Sequence, residues 1–297
     1  MMFTLTPTCI GPVAAEIMRN DGDAEVVAIF ERSFYVAAPV GYLCVGLDAL
    51  GCGPLNVTLA AGNATPDWSR FGVTREAKGA VRNGNLFIAD RFALQTDGVP
   101  VWLPPPWPSW SRPSLTQSLA KLHAVARPRC PAEGLSRLVF GPTERADRSA
   151  KAAAATVSAL RASLAAALPP DRASPELARA AILMLGLGPG LTPSGDDLLG
   201  GMFLALSALG LTGLRDALWA TLEPELALLT VGISAAHLAA AADGLGAAAV
   251  HATLNAILEG EHGSFPGHLD ALAAIGHSSG FDTLAGIVLT LEAVLRP

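Results

Sequence analysis

The sequence predicts an α+β protein: a small antiparallel, barrel-like β domain at the N-terminus, then an all-α helical bundle. Three observations carry this. Short runs rich in β-branched and aromatic residues, separated by glycine turns, occupy the chain up to about Ser111. A proline- and tryptophan-rich stretch, Val99 to Pro113, interrupts them. Beyond it, apolar residues recur at helical spacing with alanine and glycine interleaved, the composition of a tightly packed bundle. The expected division is therefore a β-rich domain at 1–98, a linker at 99–113 and a helical domain at 114–297.

Composition limits the function classes. In 297 residues, 51% are hydrophobic and 15% charged, which is the profile of a core-rich globular chain and not a disordered one. A net charge of −6 argues against nucleic acid as a general partner, because there is no basic stripe to release counterions. Cys9, Cys44, Cys52 and Cys130 show no C-x-x-C spacing; they read as free thiols in a reducing compartment, hence a cytoplasmic location. The start, Met1-Met2-Phe3-Thr4-Leu5, lacks the basic and apolar regions of a secretory signal. The uncharged run Leu198 to Leu214 is short for a membrane span and holds Gly200, Gly201, Gly210 and Gly213, so a buried core helix is expected and no membrane partner.

In order, Gly11 to Arg19 reads as a short helix. Strands are expected in Glu25 to Ala38, Gly41 to Leu47 and Pro54 to Ala60. Asn83-Gly84 signals a hairpin turn into Leu86-Phe87-Ile88-Ala89. Arg75, Lys78 and Arg82 are the cations this domain could supply across an interdomain cleft. In the linker, proline enforces an extended path, and Trp102, Trp107 and Trp110 either pack it down or form a docking surface. Helices then follow over Ser114–Ala126, Ala146–Leu168, Pro175–Leu187, Leu198–Leu209, Leu211–Leu222, Pro224–Ala242, Leu245–Glu259, Gly267–Ile275 and Ser279–Leu295. Pro169-Pro170 stops the second of these, and Arg127 to Pro142 reads as a loop.

The densest signal lies between two of the helices. Gly186-Leu187-Gly188-Pro189-Gly190-Leu191-Thr192-Pro193-Ser194-Gly195-Asp196-Asp197 strips a turn of side chains and opens a helix. Unpaired amides and the positive end of the helix dipole can hold an anion there. A plainer reading is a cap, with Ser194 and Asp197 as a capping box, or Thr192 as N-cap before Pro193. A cap accounts neither for Asp196 nor for Gly188 and Gly190 so close together. The loop has no lysine after its glycines, so it is not a Walker A phosphate loop. Two carboxylates beside an anion imply a ligand with both an acceptor and a donor end, or a divalent cation, for which magnesium would suit the oxygen-only donors.

The same pattern recurs. Ser279-Gly280-Phe281-Asp282, preceded by Gly276-His277-Ser278, repeats Ser194-Gly195-Asp196-Asp197 without a gap, and Gly201, Leu204 and Leu206 match Gly286, Leu289 and Leu291. Matched glycines would let the two helices approach and bring both starts to one site. Thr230 to His237 is a polar insertion in an apolar run, and mid-helix Thr230 and Ser234 read as bonding back to their own helix. The histidines lack zinc spacing. His277, in its glycine-serine loop, is the one suited to act as donor or general acid.

The Gly-Leu-Thr-Pro-Ser-Gly-Asp-Asp string, Ile233-Ser234 with Leu238, Ala241 and Gly244, and Gly276-His277-Ser278-Ser279-Gly280-x-Asp282-x-Leu284-x-Gly286 together resemble the AllH-like family; Gly53-Pro54-Leu55-Asn56 is also similar to its pattern. The named member of that family is a subunit of oxamate carbamoyltransferase in anaerobic allantoin breakdown. The resemblance implies carbamoyl transfer between oxalurate and phosphate, giving oxamate and carbamoyl phosphate, in a complex with partner subunits. Such a ligand has an anionic end for helix-start amides and an NH2 for a carboxylate. On this reading Asp196 faces the ligand, His277 polarises it, and Asp197 and Asp282 orient donors or cap. Gly188, Gly190, Thr192, Ser194, Gly195, Ser234, Ser278, Ser279 and Gly280 complete the binding set. Two other classes stay open: a non-catalytic assembly subunit, and a metal-dependent hydrolase or lyase of a small amide or phosphate.

Overall fold

The computed structural model describes residues 2–60, 66–141, 144, 146–167 and 174–296. The chain divides into two compact units between Pro104 and Pro105. In the first, nine strands are described: β1 (Phe3–Leu5), β2 (Cys9–Ile10), β3 (Gly22–Ile29), β4 (Ser33–Ala38), β5 (Gly41–Leu47), β6 (Asn56–Leu59), β7 (Lys78–Arg82), β8 (Asn85–Ile88) and β9 (Phe92–Gln95). They form one curled half-barrel sheet in the order β1-β9-β8-β7-β3-β4-β5-β6-β2. Its core centres on Phe34, whose ring meets Trp68 and Phe92 edge-on at centroid distances of 5.0 and 5.7 Å. Helix α1 (Pro12–Met18) buries Ala14, Ala15, Ile17 and Met18.

The β7–β8 hairpin turns at Asn83-Gly84, both with positive φ, as that dipeptide demands. The sheet is not purely antiparallel, however. β1 runs parallel to β9, and β5 parallel to β6. The second pair arises because the chain doubles back through 48–55, where Gly11 lies so close to the Gly53 and Pro54 carbonyls that a Cβ would collide with them. The same turn-back corrects the reading of four free thiols. Cys52 lies in it, β2 pairs with the adjacent β6, and Cys9 on β2 is joined to Cys52 as a disulfide. Cys44 and Cys130 are free and buried. Partners 43 residues apart leave no local spacing to read. The cations of this unit are solvated: Lys78 pairs with Glu25 and Arg82 with Asp23.

The second unit is helical: α2 (Arg112–Ala126), α3 (Arg137–Phe140), α4 (Arg148–Ala167), α5 (Pro175–Ile182), α6 (Ser194–Ala208), α7 (Thr212–Leu222), α8 (Leu226–Leu229), α9 (Gly232–Ala242), α10 (Ala248–Glu259), α11 (Phe265–Ala273) and α12 (Ser279–Leu295). Ser111 caps α2, and Ser174 caps α5 with Pro175 at its first position. The run expected as one helix over 224–242 is broken at Thr230, which is extended at φ −138°. The loop expected over 127–142 contains the single turn α3. Pro142, Leu168, Pro169 and Pro170 lie outside the described residues. Trp107 and Trp110 pack against this unit's core, Trp107 stacked on the buried His251 ring at 4.5 Å. Among the described residues no helix is long and apolar enough to cross a membrane.

Helices α6 and α12 form the most extensive helix pair, and glycine makes it possible. A Cβ at Gly201 would collide with the Thr283 carbonyl, and one at Gly286 with the Leu198 carbonyl. These contacts are reciprocal: Leu198 and Thr283, like Gly201 and Gly286, are equivalent positions of the repeated sequence. The helices therefore run side by side in the same direction, related by a local two-fold, with both starts at one end. Replacing Gly201 or Gly286 by alanine should cost at least the 1–3 kcal/mol typical of overpacking, read as a lowered denaturation midpoint. The same change at Gly190, where a Cβ meets nothing within 4 Å, should cost less, limited to the strain of its positive φ.

Candidate functional site

Two parallel helices bring two positive dipole ends together, and an acidic first turn on each offsets this. Asp196 and Asp197 open α6, and Asp282 opens α12. The three carboxyl groups have different surroundings.

Asp196 is buried and fully engaged. Its Oδ1 accepts the Gly186 N–H at 2.8 Å, and its Oδ2 accepts the hydroxyls of Ser234, at 2.6 Å, and Thr230. It thereby fastens the start of α6 to the end of α5 and to the break between α8 and α9. Gly186 has positive φ, and a Cβ there would strike the Leu229 carbonyl, so that segment lies hard against this clasp. Thr230 and Ser234 thus do not bond back to their own helix. Thr230 joins the residues expected from sequence, and the Thr230-Val231-Gly232 string that breaks the helix is the signal for it.

Asp282 is also a clasp. Fully buried, it accepts the backbone N–H groups of Leu135 and Ser136 on Oδ1 at 2.6 and 2.9 Å. Gly134, with positive φ, lets this turn approach, since a Cβ there would come within 2.8 Å of both carboxyl oxygens and of Ser278 Cβ. Burial pushes the Asp282 carboxyl up to about 6, against the pull of the Ser194 and Ser278 hydroxyls and the two amides. No local motif marks 134–136 in the sequence, because the contact spans the unit.

Asp197 lacks the backbone donors that Asp282 has, and its Oδ2, like the Oδ2 of Asp282, is closed from solvent with no hydrogen-bond partner. Burial raises its pKa well above the ordinary range; the neighbouring charges of Asp282 and Asp196 add to this, and the Ser279 hydroxyl opposes it. Ser279 beside Asp197 and Ser194 beside Asp282 are again exchanged equivalents. The Thr192 hydroxyl meets that of Ser279 at 3.1 Å, joining the two loops directly.

The helix-start amides are mostly occupied. Gly195 N–H donates to Leu187 O, and those of Asp196 and Asp197 to Pro193 O. Gly280 N–H donates to Ile275 O and Asp282 N–H to Ser278 O. Pro193 is the N-cap of α6, without a side-chain cap, so neither the Ser194–Asp197 capping box nor a Thr192 cap forms. Gly188 and Gly190 have φ of 117° and 101° and belong to an exposed loop. His277 lies at the rim, its side chain 84% exposed and Nε2 3.6 Å from Glu133. Among the described residues, no group of three or more His, Cys, Asp or Glu side chains is placed to hold a metal ion.

These environments make separable claims. Asp196→Ala strands three donors, of which the Ser234 hydroxyl is buried and those of Gly186 and Thr230 partly buried, and should cost on the order of 2 kcal/mol or more, seen as a lower melting temperature. Asp282 has a folded pKa near 6 against 3.8 unfolded. Its contribution is therefore full below the unfolded value and is lost as pH rises through the folded one. Between about pH 4 and about pH 7 the loss approaches ~3 kcal/mol. Asp282→Asn keeps an acceptor for Leu135 and Ser136 and should flatten that slope in pH-dependent denaturation, whereas Asp282→Ala should be destabilised throughout.

No solved structure matches the chain. A family model does: residues 184–291, the span that holds both helix starts and the Asp196 clasp, match the family described as oxamate carbamoyltransferase subunit AllH.

Proposed function

We propose that the chain is a subunit of a carbamoyltransferase of the oxamate type and that its ligand is held at the paired starts of α6 and α12. The observation that carries this is a pair of closed-off carboxyl oxygens without a partner where the two helix starts meet, Asp197 Oδ2 beside Ser279 and Asp282 Oδ2, while Asp196 is consumed by the fold. In the reaction, a phosphate oxygen bonds to the carbamoyl carbon of oxalurate, the bond from that carbon to the oxamate nitrogen breaks, and the nitrogen takes up the phosphate proton. The products are carbamoyl phosphate and oxamate. Asp197 is the ligand-facing carboxyl, and Thr192, Ser194, Ser278 and Ser279 supply hydroxyls around it. The Gly188–Gly190 loop covers it, and the exposed His277 polarises the ligand. Asp196 and Ser234 act as positioning residues, through the frame.

A partner subunit is part of this reading. Among the described residues of the helical unit the exposed large apolar ones are Leu183, Leu191, Leu228, Leu229 and Val231, all near the Gly186–Leu191 loop or the segment packed on it. Apolar surface at the mouth of a site favours contact with another protein chain. An assembly role without catalysis draws on the same residues, since Trp107 and Trp110 are taken up by this unit's own core.

The test is calorimetric titration of the purified chain, alone and with its co-expressed partners, with carbamoyl phosphate. Asp197→Asn should weaken binding at least tenfold, about 1.4 kcal/mol, without lowering the melting temperature. Leu228→Glu should release co-purifying partners while leaving the fold intact. Carbamoyl phosphate that binds neither form, or binds wild type and Asp197→Asn equally, refutes the proposed site.

A further inference from the structure

We infer that the β unit carries a separate binding site, an open cleft that takes a small apolar molecule bearing one carboxylate, with Arg75 as its charge partner. The inference rests on this unit alone and does not depend on the function proposed for the helical unit. The cleft has a volume of about 530 Å³, within the roughly 300–1,000 Å³ usual for small-molecule sites. Two walls and a turn build it. One wall is the corner that closes β3, where Ile29 and Phe30 stay 37% and 47% exposed. The other is the short helical turn Trp68–Phe71, which Asp67 caps by accepting the Ser69 N–H and hydroxyl. Trp68 is buried against the Phe34 ring, and its Nε1–H donates to the Phe30 carbonyl at 3.2 Å, tying the walls together. Val73 completes the apolar lining.

The third side is the turn Thr74–Ala77, and its backbone is strained. The Ala77 N–H donates to the Thr74 carbonyl, which puts Glu76 at the third position of the turn with φ of 67°, a place that favours glycine. Glu76 and Ala77 together face the single residue Val26. The Glu76 N–H donates to the Val26 carbonyl, and the Val26 N–H to that of Ala77. This is a β-bulge, a device that re-aims side chains beside binding sites. Strain that glycine would relieve, kept at the lip of a cleft, points to a turn with a task. Arg75 is the cation that this turn sets on the cleft. Arg70, Lys78 and Arg82 are engaged by Asp67, Glu25 and Asp23, whereas Arg75 has no ion pair among the described residues. Of the two carboxylates that line the cleft, Asp67 is taken by Ser69 and Arg70. Glu31 is the other, and its charge disfavours a doubly charged anion such as phosphate. One carboxylate for Arg75, on an apolar body for Ile29, Phe30 and Trp68, is the ligand these surroundings fit.

The test titrates the full chain with three probes that share one apolar body: phenylacetate, phenethyl alcohol and phenethylamine. Binding is followed by the nuclear magnetic resonance shift of the Trp68 indole N–H. Phenylacetate should bind about fivefold more tightly than the alcohol, the upper range for an exposed ion pair, and the amine should bind most weakly. The advantage should shrink at high salt. It should vanish in Arg75→Gln and persist in Arg82→Gln, with the melting temperature unchanged in both. Phe30→Ala should weaken all three probes. Acid and alcohol bound equally by wild type, or a preference for the acid that survives Arg75→Gln, overturns the inference. So does a Trp68 signal that none of the probes moves. Each of these results leaves the titration with carbamoyl phosphate, and the site at α6 and α12, untouched.

Discussion

The structure of the helical unit depends on how closely α6 and α12 approach. Gly201 and Gly286 let each helix backbone lie against a carbonyl of the other, and any side chain there would hold them apart. Helices in such contact have little freedom in register, so Ser194 and Ser279 are brought to one end along with the loops that precede them. Two helix starts side by side concentrate positive potential, and an acidic first turn on each is the electrostatic answer. The carboxyl groups therefore belong to the fold before they belong to any chemistry.

From that requirement the roles separate. A buried carboxyl is tolerated where it accepts enough hydrogen bonds. Asp196 collects three from two neighbouring segments, and Asp282 collects two from a distant turn. Asp197 is held toward its neutral form by burial, with the Ser279 hydroxyl opposing this, and its Oδ2, like that of Asp282, lacks a partner. Unpartnered carboxyl oxygens on Asp197 and Asp282, where two loops meet, are what support the ligand site proposed there. The apolar residues bordering the glycine loop make a similar statement about a partner chain.

Much of this arrangement was legible in the sequence because it is local or repeated. The gapless match of Ser-Gly-x-Asp and the glycines one turn further on carries the helix pair, and Asn83-Gly84 carries its hairpin. What sequence could not deliver lies in contacts between distant segments. The disulfide joins Cys9 to Cys52, β1 pairs with β9 from the far end of the sheet, the parallel β5–β6 pair depends on a turn-back, and the Leu135–Ser136 turn reaches Asp282 across the unit. The two adjacent aspartates were also hard to tell apart. Asp196 looked like the ligand-facing residue because a cap needs only one carboxylate, whereas the structure spends Asp196 on Thr230, Ser234 and Gly186. The break at Thr230 that makes this possible falls on Thr230-Val231-Gly232, three residues of weak helix propensity inside a longer apolar run.

The claim beneath the whole account is that the two helix starts form a single site. Thr192 and Ser279 place their hydroxyl oxygens 3.1 Å apart, near enough for cysteines at both positions to form a disulfide with only a small adjustment. The most direct measurement is mild oxidation of a Thr192→Cys, Ser279→Cys double variant followed by peptide mass spectrometry. The account predicts a near-quantitative crosslink between the peptides carrying residues 192 and 279, formed under native conditions and absent when the chain is unfolded first. Two thiols that stay reduced in the native protein would contradict it, and the paired starts would then have to be regarded as separate helix ends.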